Sequence, residues 1–177
     1  MGLRPELHPF TNEKGKTYLP AACFTMSNVD KYNFLKVIQD VKVPDGYASN
    51  VSRCVKLKER NIVGLKSHDS HILMQQIMPI ALRGSLPKHV VKPLIELSAF
   101  FRDICSKTLR IEDLDRLESQ IPVTLCKLEQ IFPPNFFTSM VHIVIHVVIH
   151  LVREYRLGGP VHYRWMYHVE RYYLSLA

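Results

Sequence analysis

At 177 residues, 47% hydrophobic and 22% charged, the chain is long enough for one ordinary core and too apolar for a disordered polyelectrolyte. Its net charge of +7 suits a polyanionic partner and suits plain solubility equally well. The surplus lies at the front: residues 1–66 carry 11 Lys/Arg against 6 Asp/Glu, and residues 67–177 carry 12 against 10.

Residues 1–26, with Pro5, Pro9, Gly15 and Pro20, read as an extended arm without a core of its own. Met1–Pro5 lack the apolar centre of a signal peptide. Ser27 followed by Asp30 predicts a capped helix start, and Phe34, Leu35, Ile38 and Val41 continue at helical spacing until Pro44-Asp45-Gly46 turns the chain. Residues 47–66 are short-range and basic, with Ile62–Leu65 as a short extended piece. Ser67 is the expected cap of a helix running through Ile72, Leu73 and Ile77 towards Pro79. Val90, Val91, Leu94, Leu97, Phe101, Ile104 and Cys105 define the apolar side of the next helix. Ile111, Leu114, Leu117, Ile121, Leu125, Leu128 and Ile131 define another, in which Pro122 is expected to bend or split the helix.

Phe136–Tyr155 is apolar nearly all round apart from its histidines and predicts a central buried helix. Its most apolar stretch, Met140–Val152, reaches about 20 Å as a helix, short of the roughly 30 Å of a bilayer core. Gly158-Gly159-Pro160 ends it and opens a last helix with Val161, Trp165, Val169 and Tyr172. No segment stands out by strand alternation. The expected fold is therefore all-α: an irregular bundle of about six helices with an extended N-terminal arm. The organisation is an arm over 1–26, a connecting helix and basic loop over 27–66, and a helical domain over 67–177.

Four groups of residues invite a chemical reading. His142, His146 and His150 recur every four residues, one helical turn apart, which is the spacing of two zinc ligands in H-E-x-x-H enzymes; the Glu is missing. A histidine stripe packed at a helix seam is the plainer reading. His68 and His71 share a helix side with Asp69 between them, and a polar capped helix start explains them without metal. Arg53, Lys56, Lys58, Arg60 and Lys66, with Tyr47 nearby, suit phosphate contacts and suit a solvated loop equally. Glu170, among aromatics, cannot hold two metal ions alone. Cys23, Cys54, Cys105 and Cys126 share neither metal-ligand spacing nor a compact disulfide pattern and read as reduced thiols of an intracellular protein, nuclear or cytoplasmic.

Longer blocks carry a resemblance. GLKSHDSHILMQQIMPIALRGSLPKHV (Gly64–Val90), the stretch Ile104–His142, and HLVREYRLGGPVHYRWMYHVERYY (His150–Tyr173) resemble plant CACTA-type (En/Spm) transposon proteins. Gly15–Ser27 and Val43–Asp69 resemble the region leading into that domain. The resemblance implies an uncharacterised, transposase-associated domain that follows a catalytic core of the DDE class, whose acids hold metal ions on a ribonuclease H-like fold. It puts Glu170 where a third acid of a complete transposase would lie. Three departures accompany it. Ser70 stands where the family usually has Cys, YHVERYY replaces a more usual YPFERYM, and four residues near 146–149 form an extra unit. Four residues would shift the downstream chain by about 6 Å and rotate it by about 40° along a helix.

The expected function is a truncated, transposon-derived domain without independent catalysis and without a cofactor. Its expected partners are DNA, through residues 53–66, and other transposase segments or a host protein. A membrane and a small-molecule substrate are not expected. A host-adopted helical interaction module is the alternative, and a histidine-based metal enzyme the remote one.

Overall fold

A computed structural model describes residues 8–42, 51–132 and 141–161, with the main chain alone for 141–149. Among the described residues the protein is mostly helical, with two small antiparallel hairpins. The first pairs β1 (Phe10–Thr11) with β2 (Thr17–Tyr18). Helix α1 (Asn28–Asp40) and the short α2 (Val51–Cys54) precede the second, which pairs β3 (Val55–Lys56) with β4 (Asn61–Ile62). A continuous helical run comes next: α3 (Ser67–Ile72), a π-helical turn over Leu73–Ile77, and α4 (Met78–Ala81). Helices α5 (Lys88–Ile104), α6 (Ile111–Ile131) and α7 (Val141–Gly158) follow among the described residues.

The start of α1 forms as its sequence predicts. Ser27 Oγ accepts from the Asp30 backbone N–H at 3.1 Å and donates to the Asp30 carboxylate at 2.6 Å. The expected face is also right, with Leu35 and Ile38 buried and Phe34 and Val41 packed beside them. The cap of α3 is one residue earlier than expected. Lys66 is the cap, and its N–H donates to the Asp69 carboxylate at 3.4 Å, so Ser67 is already helical.

The helical run reaches Pro79 as expected and continues through it to Ala81. Pro79 has no N–H to give, and its ring would meet the carbonyl four residues back. The π turn opens the ladder just before it, with Met78 N–H donating to the Leu73 carbonyl five residues away. That wider turn also keeps Ile72 and Ile77, five apart, buried in one cluster. Pro122 does not split its helix, since α6 runs unbroken from Ile111 to Ile131. An interior proline costs about 3 kcal/mol. Burying Leu114, Leu117, Ile121, Leu125, Leu128 and Ile131 on one face returns roughly 1.5–3 kcal/mol for each. Burial wins because Pro122 itself is exposed, to one side of that face. Ile111, expected on the apolar face, is 71% exposed at the first turn.

Two apolar clusters result. One joins α5, α6 and α7 through Val90, Phe100, Ile104, the α6 stripe, Val152 and Tyr155, with Val161 added after α7. The other joins α1, α2, β3 and the π-containing run through Leu35, Ile38, Val51, Val55, Ile72, Ile77 and Ala81. Helix α5 packs on α6 and α7 and also on the π-containing run. The leading segment is not wholly free of the body: Phe24 packs on the first cluster, its ring 4.9 Å from that of Phe132. Gly159, in the left-handed region at φ +75°, ends α7 by donating to the Tyr155 carbonyl. The last predicted helix, with Trp165 and Glu170, lies outside the described residues. No helix among the described residues is long and apolar enough to cross a membrane.

Candidate nucleic-acid interface

The basic segment is a built element. Val55, Leu57 and Ile62 pack on the second apolar cluster. In a strand, side chains alternate between faces, so burying Val55 sends Lys56 outward, and Lys58 follows in the turn. Both lysines are exposed. Val55 pairs with Ile62 and Lys56 with Asn61, and Val63 N–H extends the pairing to the Cys54 carbonyl at 2.9 Å. The connection Leu57–Arg60 closes through Arg60 N–H to the Leu57 carbonyl at 3.3 Å, with Arg60 at φ +53°. A non-glycine residue in that region is strained, so the tip is held by its surroundings.

Arg53, at the end of α2, is exposed, and so is Lys66, at the cap of α3; Arg60 is half-buried. None of the five cations makes an ion pair with another described residue. Four other cations are engaged among the described residues, Arg102 and Arg116 with neighbours on their own helices and two between helices. Arg156 on α7 binds Asp115 and, at 2.8 Å, Glu118 of α6. Lys127 binds Glu96 at 3.0 Å. Tyr47, read as a stacking surface beside these residues, lies outside the described residues.

Among the described residues no three His, Cys, Asp or Glu side chains are placed to hold a metal ion. His142 and His146 contribute only main chain to the description, and His150 is exposed. His68 and His71 do share a helical turn, and Asp69 between them is 1% exposed. That burial was missed in the sequence; its signal was an acid three residues after the cap, where a carboxylate reaches back to the cap N–H. Burial, and then the neighbouring His68, lower the pKa of His71 below its ordinary 6.5. Behind the π turn, burial pushes the Cys105 thiol up to about 12, and the side chain of Gln75 pulls in the other direction. A thiol so protonated is a poor nucleophile. All four cysteines are free thiols.

A groove of about 400 Å³ runs between α5 and α6. On one wall Glu96 accepts from the Thr124 hydroxyl at 3.0 Å and from Lys127 Nζ at 3.0 and 3.2 Å. These groups satisfy one another, and their work is to join the two helices.

Residues 104–177 match the family model described as Domain of unknown function (DUF4218). The domain is uncharacterised. Its match opens on the last residue of α5 and takes in α6 and α7. No curated protein and no solved structure matches the chain.

Proposed function

We propose that the chain is a transposon-derived, transposase-associated module of the CACTA type, without catalysis of its own, that grips nucleic-acid backbone through Arg53, Lys56, Lys58, Arg60 and Lys66. One observation carries the binding part. Cations of this segment stand on a hairpin whose inner face is fixed to a core, and none is neutralised by an acid among the described residues. Cations carried on a fixed backbone, and without an acid partner among the described residues, release condensed counterions on meeting phosphates. The match over 104–177 and the resemblance of Gly64–Val90 and His150–Tyr173 to CACTA proteins support the origin. The suspected third acid, Glu170, lies outside the described residues, and the absence of activity is part of the proposal.

The test is duplex DNA binding by the full chain across a salt series. Five phosphate contacts give a slope of log K against log salt of about −4 to −5. The pair Lys56→Ala/Lys58→Ala is expected to make it shallower by about 2 and to weaken all duplex sequences alike. Binding that is absent, or indifferent to salt, ends the backbone reading. DNA cleavage by the purified chain with magnesium or manganese ends the non-catalytic one.

A further inference from the structure

The leading hairpin carries a second set of groups that the basic segment does not use. Its loop is tightly defined. Thr11 pairs with Thr17, Asn12 N–H donates to the Lys16 carbonyl, and Gly15 N–H donates to the Asn12 carbonyl. Gly15 takes φ +71°, as the last residue of a three-residue hairpin loop requires. Asn12 Oδ1 accepts from the backbone N–H groups of Lys14 and Lys16 at 3.0 and 3.1 Å. One face of this ribbon holds the threonines. The other holds Phe10 and Tyr18, cross-strand partners with ring centroids 5.9 Å apart and planes within 24°.

A cross-strand aromatic pair helps to hold a hairpin. That role does not need open ring faces. Here Phe10 is 56% and Tyr18 45% exposed, so both rings keep open area. The rings share one open depression with Asn12, Lys14 and Lys16. Neither lysine makes an ion pair with a described residue, and Glu13 at the tip is the hairpin's one acid. Glu13 lines the same depression, leaving the two lysines in excess by one charge, and exposed ring faces beside a cationic excess suit a chain of anions joined by flat apolar groups.

We propose that the Phe10–Tyr18 hairpin is a docking surface for an unpaired nucleic-acid strand. A base stacks on the ring pair, and Lys14 and Lys16 neutralise the adjoining phosphates. Duplex bases already cover one another's faces, so the rings select unpaired strands, while the 53–66 segment reads backbone in either form. The inference rests on the nucleic-acid reading above for its polymer class alone.

The test uses the full chain and a 12-nucleotide probe with a central 2-aminopurine, whose fluorescence falls on stacking. The probe is made as deoxyribose strand, ribose strand and duplex. Phe10→Leu/Tyr18→Leu keeps an apolar cross-strand pair and removes the rings. It is expected to weaken single-strand binding by about tenfold, abolish the quench and leave duplex binding unchanged. The ribose and deoxyribose arms identify which strand is held. Lys14→Gln/Lys16→Gln keeps the rings and the Asn12 turn, and is expected to weaken single-strand binding at low salt only. The proposal is overturned if both pairs of substitutions bind either strand as tightly as the parent. A quench that persists without the rings also overturns it. Failure of the backbone reading shows separately, as duplex binding unchanged by Lys56→Ala/Lys58→Ala.

Discussion

At the scale of single residues, the polar groups around the π turn make stability depend on pH at both ends. His71 in the fold titrates below 6.5 because burial, and then His68, disfavour its charged form. The unfolded chain therefore binds the proton first. Stability is full above pH 6.5 and is lost as the pH falls through the window beneath it. Cys105 works in the opposite direction: raised from 9.0 to about 12, it contributes fully below pH 9 and progressively less as the pH climbs towards 12. Chemical denaturation at stepped pH checks both limbs. His71→Ala is expected to flatten the acid limb and Cys105→Ala the alkaline one. Little of this was legible in the sequence. Ser67–His71 reads as a polar helix start, and only the packed run shows Asp69 sealed from water. Cys105 was placed on the buried side of α5 by its spacing, but spacing gives no hint of Gln75 beside it.

The elements show where periodicity suffices and where it does not. The buried stripe of α6 appears in the sequence almost residue for residue, because steps of three and four admit only one helical face. Spacing points to Phe101, whereas Phe100 is the one buried in the same core; adjacent aromatics share the helix flank and only packing decides which turns inward. The basic hairpin was legible but unread: Val55-Lys56-Leu57-Lys58 alternates as a strand does, over too few residues to stand out beside the run of charge. A proline's local cost is legible in the sequence, whereas the tertiary burial that offsets it is not. Pro122 still costs what proline costs. Pro122→Ala is accordingly expected to stabilise the protein by about 1–3 kcal/mol, read as a higher unfolding midpoint with an unchanged denaturant slope. A stabilisation near zero would mean that the backbone at Glu118 is already satisfied in another way.

Taken whole, the molecule is organised around α5. The family match begins at Ile104, where α5 ends. Yet Val90, Phe100 and Ile104 belong to the same core as the α6 stripe, and Glu96 ties α5 to Thr124 and Lys127. A fragment of residues 104–177 would leave the α6 stripe without its largest partner. It is expected to bind hydrophobic dye and to exchange its amides quickly, whereas residues 85–177 are expected to show slow exchange in α5 and α6. Equal protection in both fragments would make α5 an accessory. Sequence matching sees where residues resemble a family; it does not see which helix covers their apolar face.

Phe24 gives the two cores a common fate. Its ring rests on Phe132 in the α5–α7 core, and four residues later the chain enters α1, which belongs to the other core. The contact closes a loop of roughly a hundred residues, at an entropic cost of about 4 kcal/mol if the intervening chain is disordered. A tilted aromatic pair returns only about 0.5–1.5 kcal/mol beyond its burial. The latch therefore closes only after the helices between have shortened the loop. It is a late event in folding and an early one in unfolding, and while it holds, neither core can drift from the other without first drawing a phenyl ring into water.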